Sequence, residues 1–344
     1  MTESEAIEQM IFPSQRRPSA PFGGIIQIHV TRLCDKACFN CTQASNLAIP
    51  GRFMSLENFE QAVITLKDYF GVVGVFGGNP CLHPKFEALC YILRKHIPKE
   101  RCGLWSNRIF KYGKVCRETF NPAVSNLNVH LDPIAYEEIV TQWPEARPFG
   151  LHKDSRHAPV FVSMKDLGIA EEKRWELISR CDINQHWSAM ICEVRGELRA
   201  FFCEIAAALT MLHEFDTEHD ESNIFCPHNQ NPFENPISAC LCYSWPDTGL
   251  KVEPGWWRQP PEAFLPQVRQ NCHHCGVPLR GYGTLAITDK NPKQFLSKTH
   301  ANIGPIKKRP KNAPLSYGQE IVENEQQLKR RDMPVTKYVE GADL

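Results

Sequence analysis

An alternation of short apolar runs and helical patterns between residues 24 and 181 is the feature that most constrains the fold of this chain. The run GIIQIHV (24–30) has the apolar, β-branched character of a buried strand. Further strands are predicted at 72–76, 101–105, 125–131 and 158–164, and helices at 55–70, 84–97, 110–120, 135–143 and 171–181. Strands that alternate with helices at this spacing are typical of parallel βαβ units with right-handed connections. The sequence therefore predicts an α/β fold of five or six units, arranged as an open doubly wound sheet or as part of a barrel.

Local signals mark several element boundaries. Ser55 is suited to cap the helix that follows it, and Gly71 is suited to end that helix. After residue 181, Arg195 and Gly196 separate the runs HWSAMICEV and ELRAFFCEI, which predicts a β-hairpin whose turn uses the positive φ that glycine allows. A loop-like segment is predicted over residues 213–260, which are rich in Pro, Asn and His.

The cysteine content is the unusual part of the composition. The 344 residues include 15 cysteines, too few for a disulfide scaffold and many for a soluble enzyme without metal. The N-terminus lacks the apolar region of a signal peptide, and no stretch approaches the ~18 consecutive apolar residues of a membrane span. A cytoplasmic, reducing location is therefore expected, in which cysteines are reduced, catalytic or metal-bound. The 39 basic and 39 acidic side chains balance, which argues against a surface devoted to nucleic acid or membrane.

Three cysteines follow the first predicted strand with the spacing C-x3-C-x2-C: Cys34, Cys38 and Cys41. Soft sulfur ligands select iron–sulfur clusters, zinc or copper(I). A structural zinc site normally closes with a fourth protein ligand, whereas an incomplete cysteine set leaves one metal ion with an open position for a substrate or cofactor. A zinc knuckle completed by His29 or by a distant ligand is the alternative at this point.

Characteristic short segments also follow the next three predicted strands. They are Gly77-Gly78-Asn79-Pro80, Trp105-Ser106-Asn107 and His130-Leu131-Asp132. Glycines at a strand end let the backbone approach a ligand closely, because no β-carbon intervenes. Asp132 is also suited to cap the helix that follows it. In α/β folds, ligands gather at these carboxyl ends of the strands.

Together, the cysteine triplet and the three strand ends resemble the radical S-adenosylmethionine (SAM) enzymes over roughly residues 25–165. In that family, three cysteines at this spacing hold a 4Fe–4S cluster after the first strand of a partial (β/α)6 TIM-type barrel. The amino and carboxylate groups of SAM chelate the fourth iron. The resemblance implies that Cys34, Cys38 and Cys41 are the cluster ligands. It also implies SAM or substrate contacts at Gly77, Gly78, Asn79, Pro80, Ser106, Asn107 and Asp132.

The chain departs from the pattern of this family at two positions. Asn79 stands where a glutamate usually contacts the amino group of SAM, and its carbonyl oxygen accepts a hydrogen bond more weakly than a carboxylate does. Asn40 stands where an aromatic residue is common, with Phe39 displaced by one position, which puts stacking on the adenine from position 40 in doubt.

A second set of cysteines lies in the C-terminal half. Cys272 and Cys275 form a C-x2-C pair, which needs two further ligands. The arrangement resembles the SPASM/twitch extension of radical SAM enzymes, and this resemblance implies that Cys181, Cys203, Cys272 and Cys275 hold a second, auxiliary 4Fe–4S cluster. Cys192 remains an alternative to Cys181, and a zinc site with His273 or His274 remains an alternative to the cluster.

The other cysteines and histidines have no assigned metal role. Cys81, Cys90, Cys102 and Cys116 are expected to be buried as small apolar residues, whereas Cys226, Cys240 and Cys242 lie in a loop whose role is open. His213, His219 and His228 are expected at the surface or in loops.

With these resemblances, the chain divides into four predicted parts. They are an N-terminal arm (1–24), a radical SAM partial barrel (25–180), an auxiliary-cluster domain with the β-hairpin (181–289) and a basic, flexible tail (290–344). The tail is expected to be solvated, with docking of phosphate groups or nucleic acid as the alternative.

The predicted function is that of a radical SAM oxidoreductase. The resemblance implies reductive cleavage of SAM to a 5′-deoxyadenosyl radical, which abstracts hydrogen from the substrate. An auxiliary cluster would either accept the electron left on the substrate radical, which makes the net reaction an oxidation, or bind and orient the substrate. A small-molecule substrate, polar and sugar- or nucleotide-like, is expected, with an electron donor such as flavodoxin or ferredoxin as partner. The alternatives are a peptide-modifying enzyme of the same family, a regulatory protein with zinc at both cysteine sets, and a member that keeps its clusters without catalysis.

Overall fold

The computed structural model describes residues 1–15, 24–36, 38, 41–43, 45, 52–152, 160, 163–181, 183–184, 188–214 and 245–282. The predictions that concern Phe39, Asn40, His219, Cys226, His228, Cys240, Cys242 and the tail 290–344 lie outside these residues.

The described chain is built around a six-stranded mixed sheet. Its strands are β1 (Ile25–Thr31), β2 (Val72–Gly77), β3 (Cys102–Leu104), β4 (Ser188–Val194), β5 (Glu197–Phe201) and β6 (Leu250–Lys251). The order across the sheet is β3-β2-β1-β4-β5-β6, with β3, β2, β1 and β4 parallel and with β5 and β6 antiparallel to their neighbours. The prediction of an α/β fold is therefore confirmed.

Strand β1 lies at the centre of this sheet. All seven of its residues are buried, as expected for a parallel strand that is covered on both faces. Ile25 pairs with Val72 of β2 on one side and with Ser188 of β4 on the other. The loop that follows β1, which carries the first cysteine set, therefore begins beside the carboxyl end of β2.

Eight α-helices surround the sheet in the described part of the chain. They are α1 (Glu3–Gln9), α2 (Leu56–Thr65), α3 (Phe86–His96), α4 (Gly113–Thr119), α5 (Pro133–Gln142), α6 (Glu171–Ser179), α7 (Glu204–Glu214) and α8 (Leu265–Asn271). Helices α2 to α6 confirm the five predicted helices, with bounds that differ by a few residues. Wholly buried side chains such as Phe59 on α2 and Leu89 on α3 fix them to the core, each worth about 1.5–3 kcal/mol of buried apolar surface.

Helix α2 confirms its predicted start and corrects its predicted end. The Ser55 side chain accepts a hydrogen bond from Asn58 N at 3.0 Å, as an N-cap does. The helix ends at Thr65, several residues before Gly71. Gly71 serves another purpose, because a β-carbon there would lie 1.9 Å from the carbonyl oxygen of Gly24.

Two predicted strands differ from the structure. Within 125–131, Asn126 and Asn128 form only isolated parallel bridges, with Trp105 and Phe149. The strand cannot continue because the backbone then enters the left-handed region, at φ 49° for His130 and 63° for the next residue. Of the predicted strand 158–164, the described residues 160, 163 and 164 lie outside the named strands.

The first residues are helical rather than the predicted arm. Thr2 Oγ1 accepts a hydrogen bond from Glu5 N, and Thr2 N donates to Glu5 Oε2 at 2.7 Å, which forms a capping box for α1. Asn184 then holds the chain in place, because its amide bonds both the N–H and the carbonyl of Ile11 at 2.9 Å. Phe12 is buried and stacks against Phe264 at a ring distance of 5.7 Å.

The predicted hairpin is confirmed and belongs to the central sheet. Its turn uses Arg195 and Gly196, at φ 51° and 79°, and Val194 pairs with Glu197 across it. Its first strand, β4, pairs with β1, so the hairpin extends the sheet that carries the first cysteine set. Among the described residues, no helix has the length and apolar character that a membrane span requires.

Candidate functional site

A cavity of about 190 Å³ lies at the carboxyl ends of β1, β2 and β3. Seven of the residues proposed from the sequence line it: Cys34, Cys38, Cys41, Gly77, Gly78, Ser106 and Asn107. They come from three loops that are far apart in sequence, and the parallel strands bring these loops to one edge of the sheet. We call this space the first cavity.

Close packing explains the two glycines at the carboxyl end of β2. A β-carbon on Gly77 would lie 2.2 Å from the carbonyl oxygen of Thr31, and one on Gly78 would lie 2.3 Å from that of Leu33. The backbone bonds are correspondingly short, at 2.7 Å from Gly78 N to Thr31 O and 2.7 Å from Asn79 N to Leu33 O. The two glycines therefore allow the start of the cysteine loop to pack directly against the end of β2.

Asn79 and Pro80 lie behind this cavity and do not line it. Asn79 is wholly buried, and its side chain bonds groups of the protein at both ends. Asp132 likewise lies outside the lining, and its Oδ1 caps α5 by accepting from Ile134 N and Ala135 N at 3.0 and 3.1 Å.

Lys36 is a lining residue that the sequence did not single out. Its Nζ lies 2.5 Å from Asp132 Oδ2, and both side chains are 7% exposed. Burial would raise the pKa of Asp132, but the hydrogen bonds from Lys36, Ala135 and Ile134 hold it below its ordinary value. The position of Lys36 between Cys34 and Cys38 was the only signal that could have pointed to it.

A second cavity, of about 20 Å³, brings together the other predicted cysteines: Cys181, Cys203, Cys272 and Cys275. Cys192 is buried in β4 and does not line it. Burial raises the pKa of the Cys203 thiol to about 12, with Cys181 adding to the effect, and it raises the pKa of Cys272 and Cys275 as well. Four thiols thus share one apolar space, and a metal centre there requires them to lose their protons.

The histidines considered as zinc ligands line neither the first nor the second cavity. His273 Nδ1 accepts from Arg174 Nε at 3.0 Å, and burial and this arginine lower the pKa of His273 to about 4. His274 Nδ1 lies 3.2 Å from Ser163 Oγ. His29 is buried in β1 beside a small separate cavity, and burial lowers its pKa to about 3, with the charge of Arg32 as the next cause.

The spacing of the donor groups bears on the kind of metal. Among the described residues, no three His, Cys, Asp or Glu side chains are close enough to share one metal ion. A single zinc ion needs four ligands within about 2.3 Å, whereas the cysteines around a 4Fe–4S cluster each bind a different iron and stand further apart. As they stand in the described part of the chain, neither cysteine set is arranged to hold a single metal ion.

The two cavities share a wall. Ile183 and Glu204 line the first cavity, and their chain neighbours Asn184 and Cys203 line the second. The linings of the two cavities are therefore joined by one peptide bond at each of these places. The buried carboxylate of Glu204 is a second lining group that sequence reasoning missed, although it directly follows a predicted cluster ligand.

The remaining predictions on cysteine and histidine have mixed outcomes. Cys81, Cys90, Cys102 and Cys116 are buried, as predicted. His213 was expected at the surface or in a loop, and this was wrong. It is buried near the end of α7 and stacks on Trp245 at a ring distance of 4.0 Å, which removes both aromatic faces from water.

Comparison with known proteins yields distant structural likeness alone. No family model matches the sequence, and no curated protein matches it. Among solved structures, the crystal structure of BtrN in complex with AdoMet and 2-DOIA is similar with a TM-score of 0.38 and 14% identity, over 53% of this chain and 73% of that chain. This likeness is too distant to assign a fold or a function.

Proposed function

We propose that this protein is a radical SAM enzyme in which Cys34, Cys38 and Cys41 hold a 4Fe–4S cluster and SAM binds in the first cavity. The observation that carries the proposal is the convergence of the C-x3-C-x2-C cysteines with the ends of β2 and β3 around one cavity. The parallel bridges beyond β3, Trp105 to Asn126 and Asn128 to Phe149, support a partial (β/α)6 barrel as the fold.

When bound, the reduced cluster supplies the electron that cleaves SAM into methionine and a 5′-deoxyadenosyl radical. The chain's own part is positioning and exclusion of water. Gly77 and Gly78 present backbone groups to the cavity, and Ser106 and Asn107 add a hydroxyl and an amide. Lys36 adds a positive charge that Asp132 balances.

The substrate that we propose is a small polar molecule, of the sugar or nucleotide kind. Amide and hydroxyl side chains are frequent in the lining of the first cavity and suit a molecule with many hydroxyl or amino groups: Thr42, Gln43, Ser45, Asn126 and Asn128. Glu204 adds a carboxylate on the wall that faces the second cysteine set.

We further propose that Cys181, Cys203, Cys272 and Cys275 hold an auxiliary 4Fe–4S cluster and that the net reaction is an oxidation. The joined linings support this, because a substrate beside Ile183 and Glu204 would contact residues whose chain neighbours, Asn184 and Cys203, line the second cavity. An electron donor such as flavodoxin or ferredoxin is the proposed partner for reducing the first cluster.

Anaerobic reconstitution with iron and sulfide tests the proposal. We expect about eight irons per chain for two four-iron clusters and formation of 5′-deoxyadenosine when the protein is reduced with SAM present. Replacement of Cys34, Cys38 and Cys41 by alanine should abolish SAM cleavage and leave about four irons. Zinc without iron would contradict the proposal, and iron without SAM cleavage would favour a protein that keeps its clusters for another purpose.

A further inference from the structure

Building on the proposed function, we propose that Asn79 and Asp35 form one hydrogen-bonded unit. This unit holds the loop that carries Cys34, Cys38 and Cys41 against the ends of β2 and β3. In this unit Asn79 is a positioning residue for Cys34, and its side chain does not bind SAM. The inference changes the role that the sequence resemblance gives to position 79, and it accounts for the asparagine found there.

Both ends of the Asn79 side chain bond groups of the protein. Its Oδ1 accepts from Cys81 N at 3.0 Å and lies 2.9 Å from Ser106 Oγ, whose single proton also faces Arg108 O at 2.7 Å. Its Nδ2 donates to Arg108 O at 3.2 Å and to Asp35 Oδ1 at 3.4 Å. A primary amide makes four such bonds at most, and the residue is wholly buried outside the cavity lining.

Asp35 is the point where the three loops meet. Its Oδ1 accepts from Asn107 Nδ2 at 2.9 Å as well as from Asn79, so a single oxygen joins the loops after β1, β2 and β3. The neighbouring Cys34 thiol lies 3.9 Å from the same oxygen and 3.8 Å from Asn107 Oδ1. The amides that hold Asp35 therefore also set the surroundings of the first cluster ligand.

A carboxylate at position 79 does not fit this arrangement. It has no N–H to donate to Asp35 or to Arg108 O, and it would bring a second negative charge to about 3.4 Å from Asp35 Oδ1. Two negative charges at that distance repel each other, so the contact between the loops would be weakened. With Asp35 in the loop, an amide at position 79 is the matching partner.

The test measures how well the unit holds the cysteine loop in the iron-free, full-length protein. Asn79→Asp keeps the size of the side chain and replaces the donor by an acceptor. The reaction rate of Cys34 with a thiol reagent, resolved by peptide mass spectrometry, should rise about tenfold, because the loss of buried hydrogen bonds loosens the loop that carries Cys34. The double variant Asn79→Asp with Asp35→Asn restores a donor and an acceptor and should return the rate towards that of the unmodified protein.

The chain offers a matched control in Asn121. It caps the turn Pro122–Val124, as Asn79 caps Pro80–Leu82, with Oδ1 accepting from Ala123 N and Nδ2 donating to Glu100 O. Asn121→Asp should leave the labelling of Cys34 unchanged. Asp35→Ala removes the shared acceptor without adding a charge, so it repeats the test if Asn79→Asp does not fold.

Binding of SAM by the iron-loaded protein separates the two roles of position 79. A side chain that binds the ammonium group of SAM would bind it more tightly as aspartate, because the bond gains a charge. Tighter SAM binding by Asn79→Asp at an unchanged Cys34 labelling rate overturns the inference, and so does a double variant as reactive as the single one. If the unmodified protein takes up no iron, the proposed function fails, and the labelling rates still decide whether this unit holds the loop.

Discussion

At the scale of single residues, the buried pair of Lys36 and Asp132 connects the cysteine loop to the start of α5. A lysine that is 7% exposed needs a counter-charge, because removing an isolated charge from water costs several kcal/mol. Asp132 supplies that charge with one oxygen and caps α5 with the other. The lysine of the first cavity is thereby fixed in place rather than mobile.

The lowered pKa of Asp132 gives the pair a pH signature. Hydrogen bonds from Lys36, Ala135 and Ile134 outweigh burial and hold the pKa below its ordinary value of 3.8. A carboxyl of this kind contributes stability above its unfolded pKa and loses it as the pH falls through its folded pKa. We expect Asp132→Asn to lower the free energy of unfolding by about 2 kcal/mol at neutral pH, and this difference to shrink below about pH 4. Urea unfolding of the iron-free protein at several pH values measures it, and a difference that grows on acidification would count against the pair.

Local spacing was enough to predict the cysteines but not the charged residues beside them. Cys34, Cys38 and Cys41 stand together in the sequence, and all three line one cavity. Lys36 and Asp132 are 96 positions apart, and only the approach of two strand ends makes them a pair. Sequence reasoning gave Asp132 a role as a helix cap and, through the resemblance, as a SAM or substrate contact, and it found no role for Lys36.

At the scale of elements, the contact between the loops after β1 and β2 leaves no space for a side chain at Gly78. A β-carbon there would meet Leu33 O at 2.3 Å, one residue before Cys34. The loop that carries the cysteines and the glycine segment after β2 therefore behave as one piece, and a change in one should shift the other.

Gly78→Ala tests this contact. Overpacking of this kind costs about 1–3 kcal/mol, and we expect iron in the first cysteine set to fall while the second set still loads. Gly168→Ala is the control. Gly168 has a positive φ of 73°, so an alanine there strains the backbone, but an added β-carbon would meet no atom within 4 Å and would not contact the cysteine loop. Iron content per chain after reconstitution measures both variants. Equal iron loss in the two would show that general destabilisation is the cause.

The N-terminal segment is the element that covers the second cysteine set. Met10 lines the second cavity, and Asn184, also in its lining, holds Ile11 through two backbone bonds. We expect Asn184→Ala to release this segment at a cost of about 1–3 kcal/mol and to speed the reaction of Cys203 and Cys275 with a thiol reagent in the iron-free protein.

Glu3→Gln is the control for that experiment. It removes the pairing of Glu3 on α1 with Arg269 on α8, where both side chains are more than a third exposed, so an effect of at most about 1 kcal/mol is expected. If the two variants label alike, the N-terminal segment does not shield the second set.

Elements with local signals were predicted well, and those set by distant contacts were not. The cap at Ser55 and the turn at Arg195 and Gly196 depend on neighbouring residues and are confirmed. The pairing of β4 with β1 joins segments more than 150 residues apart, which no local pattern encodes. The predicted strand over 125–131 ends early because His130 takes a positive φ, for which its side chain gives no clear sign.

At the scale of the whole molecule, the two cysteine sets are adjacent. Consecutive residues line the two cavities at two places. Ile183 and Glu204 line the first cavity, and their neighbours Asn184 and Cys203 line the second. The hairpin that leads into Cys203 belongs to the same sheet as β1, which precedes Cys34. One sheet thus positions both sets, which suits a site where an electron leaves a substrate in one cavity for an acceptor in the other.

The central claim is that two clusters are present and that only the first binds SAM. The most direct test is the electron paramagnetic resonance spectrum of the reduced, iron-loaded protein, recorded with and without SAM. The comparison uses the unmodified protein, a variant with Cys34, Cys38 and Cys41 replaced by alanine, and a variant with Cys272 and Cys275 replaced by alanine. We predict that SAM changes the cluster signal in the unmodified protein and in the Cys272 and Cys275 variant, and has no effect on the signal that remains in the triple variant. A signal unchanged by SAM in the unmodified protein, or a SAM-dependent change in the triple variant, would contradict the account.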